Sequence, residues 1–183
     1  MPPERIMLIR HAEKPNDGGR VRGVDPLGRE DANALSVPGW QRAGALVRLF
    51  APHDSQSAVT GIATPDVLWA SRATPANPSQ RSQQTLMPLA AWLNLPIRCE
   101  FGKGDEAGMA ARLLETSGVV LVAWSHEGLP ALARALGTVE PAPPKAWPKD
   151  RFDLVWVFTP QDGRWSLRQV PQWLLAGDSA TLL

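Results

Sequence analysis

Arg10 and His11 stand at the end of an apolar run, Ile6 to Ile9. Four apolar residues without alternation predict a strand buried on both faces, as in a parallel sheet covered by helices. Ligands of open α/β sheets bind just beyond the carboxyl ends of such strands. At that position a guanidinium grips phosphate oxygens, and an imidazole nitrogen can attack phosphorus. A second apolar run, Val119 to Trp124, ends in Ser125-His126-Glu127. His126 there can bind the same anion and stabilise charge that builds during its transfer. Arg81, within the segment Ser79 to Thr85, falls at the start of an expected helix. Free N–H groups and the positive dipole end favour an anion there, and the arginine adds paired donors. Arg72, after Ala70-Ser71, is the alternative source of that guanidinium. Taken singly, each residue also fits a bland role: a loop or core histidine, a solvated arginine on a turn. Their delivery by strand ends to one sheet edge is what points to an active site.

The elements that must position these groups alternate along the chain. After the first strand comes a polar loop, Lys14 to Ala34, and then a helix from Pro38 to Phe50, with Ser36 or Val37 near its cap. Trp40, Ala43, Val47 and Phe50 share one face of it. Asp66 to Ala70 reads as a second strand, and a helix with Leu86, Leu89, Ala90 and Leu93 inward starts near Ser79. Pro96 to Phe101 is a third strand. Asp105 to Thr116 is a helix with Ala107, Ala111 and Leu114 inward. Val119 to Trp124 is the fourth strand, followed by a helix bearing Leu129, Leu132, Ala133 and Leu136. Gly137 to Lys149 is a proline-rich connector without an element of its own. Phe152 to Thr159 and Trp165 to Val170, joined at Gln161-Asp162-Gly163, form an antiparallel hairpin. The expected architecture is α/β: a three-layer α/β/α domain with a mostly parallel central sheet and a C-terminal antiparallel hairpin. Residues 1–183 form a single domain, because the segment after the connector is too small to fold alone.

Composition narrows the classes. A formal net charge of +1 gives no reason to expect nucleic-acid or membrane-surface binding, although a local basic pocket is allowed. Cys99 is the single cysteine, so no internal disulfide forms. No apolar stretch approaches a membrane span, and the early first strand leaves no room for a secretory signal. A cytoplasmic protein is expected.

Four segments resemble motifs of the histidine phosphatase superfamily, also called phosphoglycerate-mutase-like. Arg10-His11-Ala12-Glu13-Lys14-Pro15 is similar to the RHG signature, and Leu35 to Ala43 to the segment L-[ST]-x-x-G-x-x-[RQ]-A. Ser79 to Thr85 resembles the helix start R-[AS]-x-Q-T, and Trp124-Ser125-His126 the second-histidine motif. They occur in family order. Ala12 replaces the signature glycine, the spacer from Ser71 to Arg81 is long, and the mutase continuation after Glu13 is absent, which favours a phosphatase over a mutase.

The resemblance implies a phosphoglycerate-mutase-like fold and a metal-independent phosphatase without cofactor. His11 forms the phosphohistidine, while Arg10, Arg81 and His126 hold the phosphoryl oxygens. His11 needs its other ring N–H on a backbone carbonyl to fix tautomer and aim. The general acid that protonates the leaving group is one of Asp105, Glu106 and Glu127, the first two favoured. Lys14, Arg20, Arg22, Trp40 and Trp124 are candidates for substrate contact, against solvated or core roles. The expected substrate is a phosphorylated small molecule or a phosphoprotein. The alternatives are a phosphotransferase of mutase type and a non-catalytic phosphate-binding module.

Overall fold

The computed structural model describes residues 2–16, 18 and 20–183; Met1, and Asp17 and Gly19 of the expected polar loop, lie outside the described residues. The chain forms β1 (Pro3–Arg10), α1 (Val37–Phe50), β2 (Val67–Ala70), α2 (Arg81–Leu93), β3 (Ile97–Arg98), α3 (Glu106–Leu114), β4 (Gly118–Trp124), α4 (Leu129–Ala135), β5 (Val139–Glu140), β6 (Leu154–Gln161) and β7 (Arg164–Pro171). One sheet runs β3-β2-β4-β1-β6-β7-β5. The β1–β4, β2–β4, β2–β3 and β5–β7 pairs are parallel, and β1–β6 and β6–β7 are antiparallel. The expected three layers are present. Met7 and Ile9 of β1 pack with α1 and α2, while Ile6 and Leu8 pack with α3 and α4. A strand with apolar neighbours on both sides needs no alternation, which is why its sequence reads as a continuous apolar run.

The C-terminal hairpin closes through Asp162 and Gly163, both with positive φ, the geometry a two-residue turn between twisted strands demands. Three expectations require correction. The inward face of α3 is Met109, Ala110 and Leu113, whereas Ala107, Ala111 and Leu114 are exposed. α3 is only 9 residues long, and so small a stripe leaves its phase poorly defined by apolar spacing alone. The third strand is cut to Ile97–Arg98. The proline-rich connector carries the short strand β5 and buries Trp147 against Trp156 at 4.8 Å between ring centroids. Two backbone pairs with β7 suffice for that strand, too few to leave a periodic signal. No helix among the described residues is long and apolar enough to cross a membrane.

Parallel register sets the site. Arg10 pairs with Trp124, and Ala70 with Ala123, so β1, β2 and β4 end level with one another. The His11 N–H donates to the Trp124 carbonyl (3.0 Å) and the Ser71 N–H to the Ala123 carbonyl (3.2 Å). The residues just beyond each strand therefore emerge at one sheet edge.

The loop after β1 is clamped from below by α1. Ser36 caps that helix, its hydroxyl accepting from the Gly39 N–H, and its own N–H and hydroxyl both donate to the Glu13 carbonyl at 3.0 Å. A side chain at position 39 would place a Cβ 2.3 Å from that same carbonyl oxygen, so only glycine lets the helix approach. Buried Arg42 bridges the Glu13 carboxylate (2.8 Å) and Asp178 (2.7 Å) in the C-terminal segment, and donates to Gln172 at 2.9 Å. Burial alone would lower the Arg42 pKa, but hydrogen bonds to Asp178 and Glu13 outweigh it and raise the pKa. Both Asp178 and Arg42 side chains are about nineteen-twentieths buried (5% and 4% exposed), and a buried pair that loses one partner strands the other charge. D178N is expected to lower unfolding free energy in urea by about 3 kcal/mol; a loss under about 1 kcal/mol would show that Glu13 alone satisfies Arg42.

Candidate active site

A cavity of about 300 Å³ opens at the carboxyl ends of β1, β2 and β4. Arg10, His11, Lys14, Arg72, Arg81, Lys103, Ser125, His126 and Glu127 are among its lining residues. Sequence positions far apart thus meet on one surface, with a single carboxylate among the cations of the described residues.

His11 is buried, 6% exposed. Its Nδ1 lies 2.8 Å from the Ala12 carbonyl oxygen, which fixes Nδ1 as the protonated nitrogen and leaves the Nε2 lone pair free. The Ala12 N–H donates to the Thr85 hydroxyl (2.8 Å), and that hydroxyl donates to the Arg81 carbonyl (2.7 Å). α2 thereby holds the loop that aims the imidazole. Burial pushes the His11 pKa down to about 3; the Ala12 carbonyl opposes this, and the charges of Arg10, Arg81 and His126 add to it. The ring is neutral at pH 7, as a nucleophile must be.

Arg10 is almost wholly buried. Its Nη1 donates to the carbonyls of Lys149 (2.5 Å), Arg151 (3.1 Å) and Pro148 (3.3 Å), and its guanidinium carbon stands 3.8 Å from the centre of the Phe152 ring. Nε and Nη2 are buried without a hydrogen-bond partner among the described residues. An unpaired buried guanidinium edge is costly unless an anion completes it. Burial lowers the Arg10 pKa to about 10, partly offset by Asp150, Glu13 and Glu127, so the group stays charged at neutral pH.

Arg81 donates through Nε to the Ala34 carbonyl (3.1 Å), through Nη1 to the Ser79 hydroxyl (3.2 Å) and through Nη2 to the Ala32 carbonyl (2.6 Å). One N–H on each Nη is left over from five. Arg72, the alternative second arginine, is exposed, lines the same cavity and makes no side-chain hydrogen bond among the described residues. Burial lowers the His126 pKa, as do Arg10, Lys14 and Lys103, while Glu127 opposes them. His126 is a neutral donor or acceptor at pH 7.

Several predicted site residues lie elsewhere. Asp105 and Glu106 are not in the lining. Glu106 accepts from the Trp124 indole N–H (3.0 Å) and the Gly104 N–H (3.1 Å). Trp124 is wholly buried in the core, and a Cβ at Gly128 would fall 2.4 Å from Glu106 and 2.5 Å from the indole nitrogen. Trp40 packs on Ala12, Leu35 and Ala43, its indole N–H on the Val24 carbonyl at 2.7 Å. Arg22 pairs with Glu30 at 2.6 Å and Arg20 is exposed; neither lines the cavity. Of the candidate acids only Glu127 lines it. Glu127 is ion-paired with Lys103, and that hydrogen bond holds its carboxyl below the usual range. Sequence reasoning missed Lys103 and Ser125, whose buried hydroxyl has no partner among the described residues. Ser125 directly follows β4, the same signal that marked His11, whereas Lys103 lies five residues beyond β3 and carries no such signal.

No family model and no curated protein matches the chain. Among solved structures it is similar to a candidate alpha-ribazole-5'-P phosphatase of Escherichia coli, with 17% identity over 92% of this chain and 96% of that one and a TM-score of 0.53. The likeness is one of fold: the two chains share this architecture over nearly their whole length. A candidate phosphohistidine phosphatase SixA of Agrobacterium tumefaciens aligns with 22% identity over 92% of this chain and 97% of that one, with a TM-score of 0.46. In this fold the carboxyl ends of the parallel strands β1, β2 and β4 carry the cavity.

Depression of the His11 pKa links the site to stability. Between about 3 and the ordinary 6.5 the unfolded chain binds a proton that the folded chain refuses, so stability rises with pH across that window. The contribution is complete above 6.5 and is lost as pH falls toward 3. Urea unfolding of wild type should therefore weaken below pH 6.5 by up to about 1.4 kcal/mol per pH unit more than that of H11N. Parallel pH profiles for the two proteins would show that His11 titrates as an exposed imidazole does.

Proposed function

We propose that this protein is a phosphatase of the histidine phosphatase superfamily, hydrolysing a phosphate monoester, on a small molecule or a phosphoprotein, through a phosphohistidine on His11. The observation that carries the reading is the neutral His11, its Nδ1 engaged by the Ala12 carbonyl, in one cavity with the unpartnered Nε and Nη2 of Arg10. Arg10, with the remaining donors of Arg81 and an N–H of His126, holds the phosphoryl oxygens and offsets their charge as it builds. His11 Nε2 attacks phosphorus, the P–N bond forms and the ester P–O bond breaks. Water then attacks phosphorus, the P–N bond breaks, and phosphate leaves with His11 restored. These steps draw their charge compensation from guanidinium and imidazole groups.

Among the described residues Glu127 is the only candidate acid in the cavity, and Lys103 favours its ionised form. The leaving group therefore departs with little proton assistance, and its own acidity governs the rate. Across substituted phenyl phosphates, kcat/KM should rise steeply as the phenol becomes more acidic. A flat dependence, joined to selective loss of alkyl phosphate turnover in E127Q, would instead make Glu127 the proton donor.

Incubation with p-nitrophenyl phosphate in EDTA tests the assignment of the nucleophile. Turnover should survive the chelator and fall by roughly a thousandfold or more in H11A. Activity that disappears in EDTA, or persists in H11A, contradicts the proposal.

A further inference from the structure

The cavity holds more positive charge than one phosphoryl group uses. Arg10, Arg81, His11 and His126 surround the proposed phosphoryl position. Arg72 and Lys103 line the same cavity from the β2–β3 edge. The Arg72 N–H donates to the Phe101 carbonyl (2.8 Å), and Arg72 bridges Gly102 in parallel, which extends the β2–β3 ladder and sets Arg72 next to Lys103. Arg72 makes no ion pair among the described residues. Lys103 pairs with Glu127, but both side chains are well exposed, 41% and 55%, and such a pair exchanges readily for another anion. Lys14 lines the same cavity and its field reaches both His126 and Glu127. The wall beside Arg72 is the loop bearing Ala76, Asn77, Pro78 and Ser79, held by reciprocal Thr74–Asn77 backbone bonds of 2.9 and 3.0 Å. This loop lies in the long spacer between Ser71 and Arg81, so the added chain forms part of the cavity.

We propose that Arg72 and Lys103 form a subsite for a second anionic group, so that the substrate is a phosphate ester whose leaving portion carries a carboxylate or a further phosphate. The proposal deepens the phosphatase reading and rests on it for the position of the transferred group. Two cations carried by neighbouring backbone segments into one cavity recognise an anion by charge and by guanidinium geometry. Neighbouring cations that a single exposed carboxylate does not neutralise also raise the local potential, which favours a multiply charged ligand over a singly substituted one.

Binding to the full-length H11A protein tests the subsite without turnover. Calorimetric Kd values for phenyl phosphate are compared with those for meta- and para-carboxyphenyl phosphate. At least one carboxylated ester is expected to bind roughly tenfold tighter than phenyl phosphate. R72Q and K103Q, each made in H11A, should bring that ratio toward one, and added salt should do the same. Equal affinities, or a preference that both substitutions leave intact, overturn the proposal. Hydrolysis of phenyl phosphate by wild type is scored separately: its failure counts against the phosphatase reading, whereas the binding ratio decides the subsite in either case.

Discussion

A buried guanidinium governs this architecture. Arg10 ends the central strand β1 with its charge inside the protein, where an unsolvated cation survives only if its donors are met. One nitrogen is met by three carbonyls from residues 148, 149 and 151, which lie far along the chain. The end of the proline-rich connector is thus tied to the end of β1, and Phe152 lies against the guanidinium face. The remaining edge is buried with no hydrogen-bond partner among the described residues, and in the proposed function an anion completes it. Structure and proposed chemistry share this one unsatisfied group.

The clamp on the loop after β1 gives the sequence motifs a physical meaning. Ser36, Gly39 and Arg42 all act on Glu13: as donor, as a gap for its backbone, and as its counter-ion. From the other helix, Thr85 takes the Ala12 N–H and Gln84 takes the Leu35 N–H at 2.8 Å. Arg81 ties down the carbonyls of Ala32 and Ala34. Most of these residues never reach the cavity. They fix the backbone from which His11 projects, and a nucleophile held to within a fraction of an ångström is worth a large part of a reaction barrier. The C-terminal segment joins the same network through Asp178 to Arg42, and Thr181 accepts from Arg151, whose carbonyl supports Arg10.

Much of this is legible in the sequence because it depends on local patterns. The buried strand runs show where β1 and β4 lie, and level parallel register then brings His11 and His126 to one edge. The Asp162-Gly163 turn announces the hairpin. The features that the sequence hides depend on partners distant in the chain. Apolar spacing points to Ala107, Ala111 and Leu114 as the α3 stripe because alanines on a short helix do not distinguish one face from another. Glu106 looks like an acid near a strand end, yet its carboxylate is used by the Trp124 indole. Trp40, Arg20 and Arg22 lie close to the motifs in sequence but turn away into packing or onto the exposed surface. Lys103 becomes visible only once the β2–β3 edge is built beside Arg72.

The central claim is that His11 attacks through the nitrogen that the Ala12 carbonyl leaves free. Rapid denaturing quench during turnover in alkaline solution, followed by ³¹P NMR of the trapped protein, reads both the residue and the ring position of any phosphoryl group. The account predicts phosphate on Nε2 of His11, absent from H11A. Phosphate on Nδ1, or on any other residue, would contradict it.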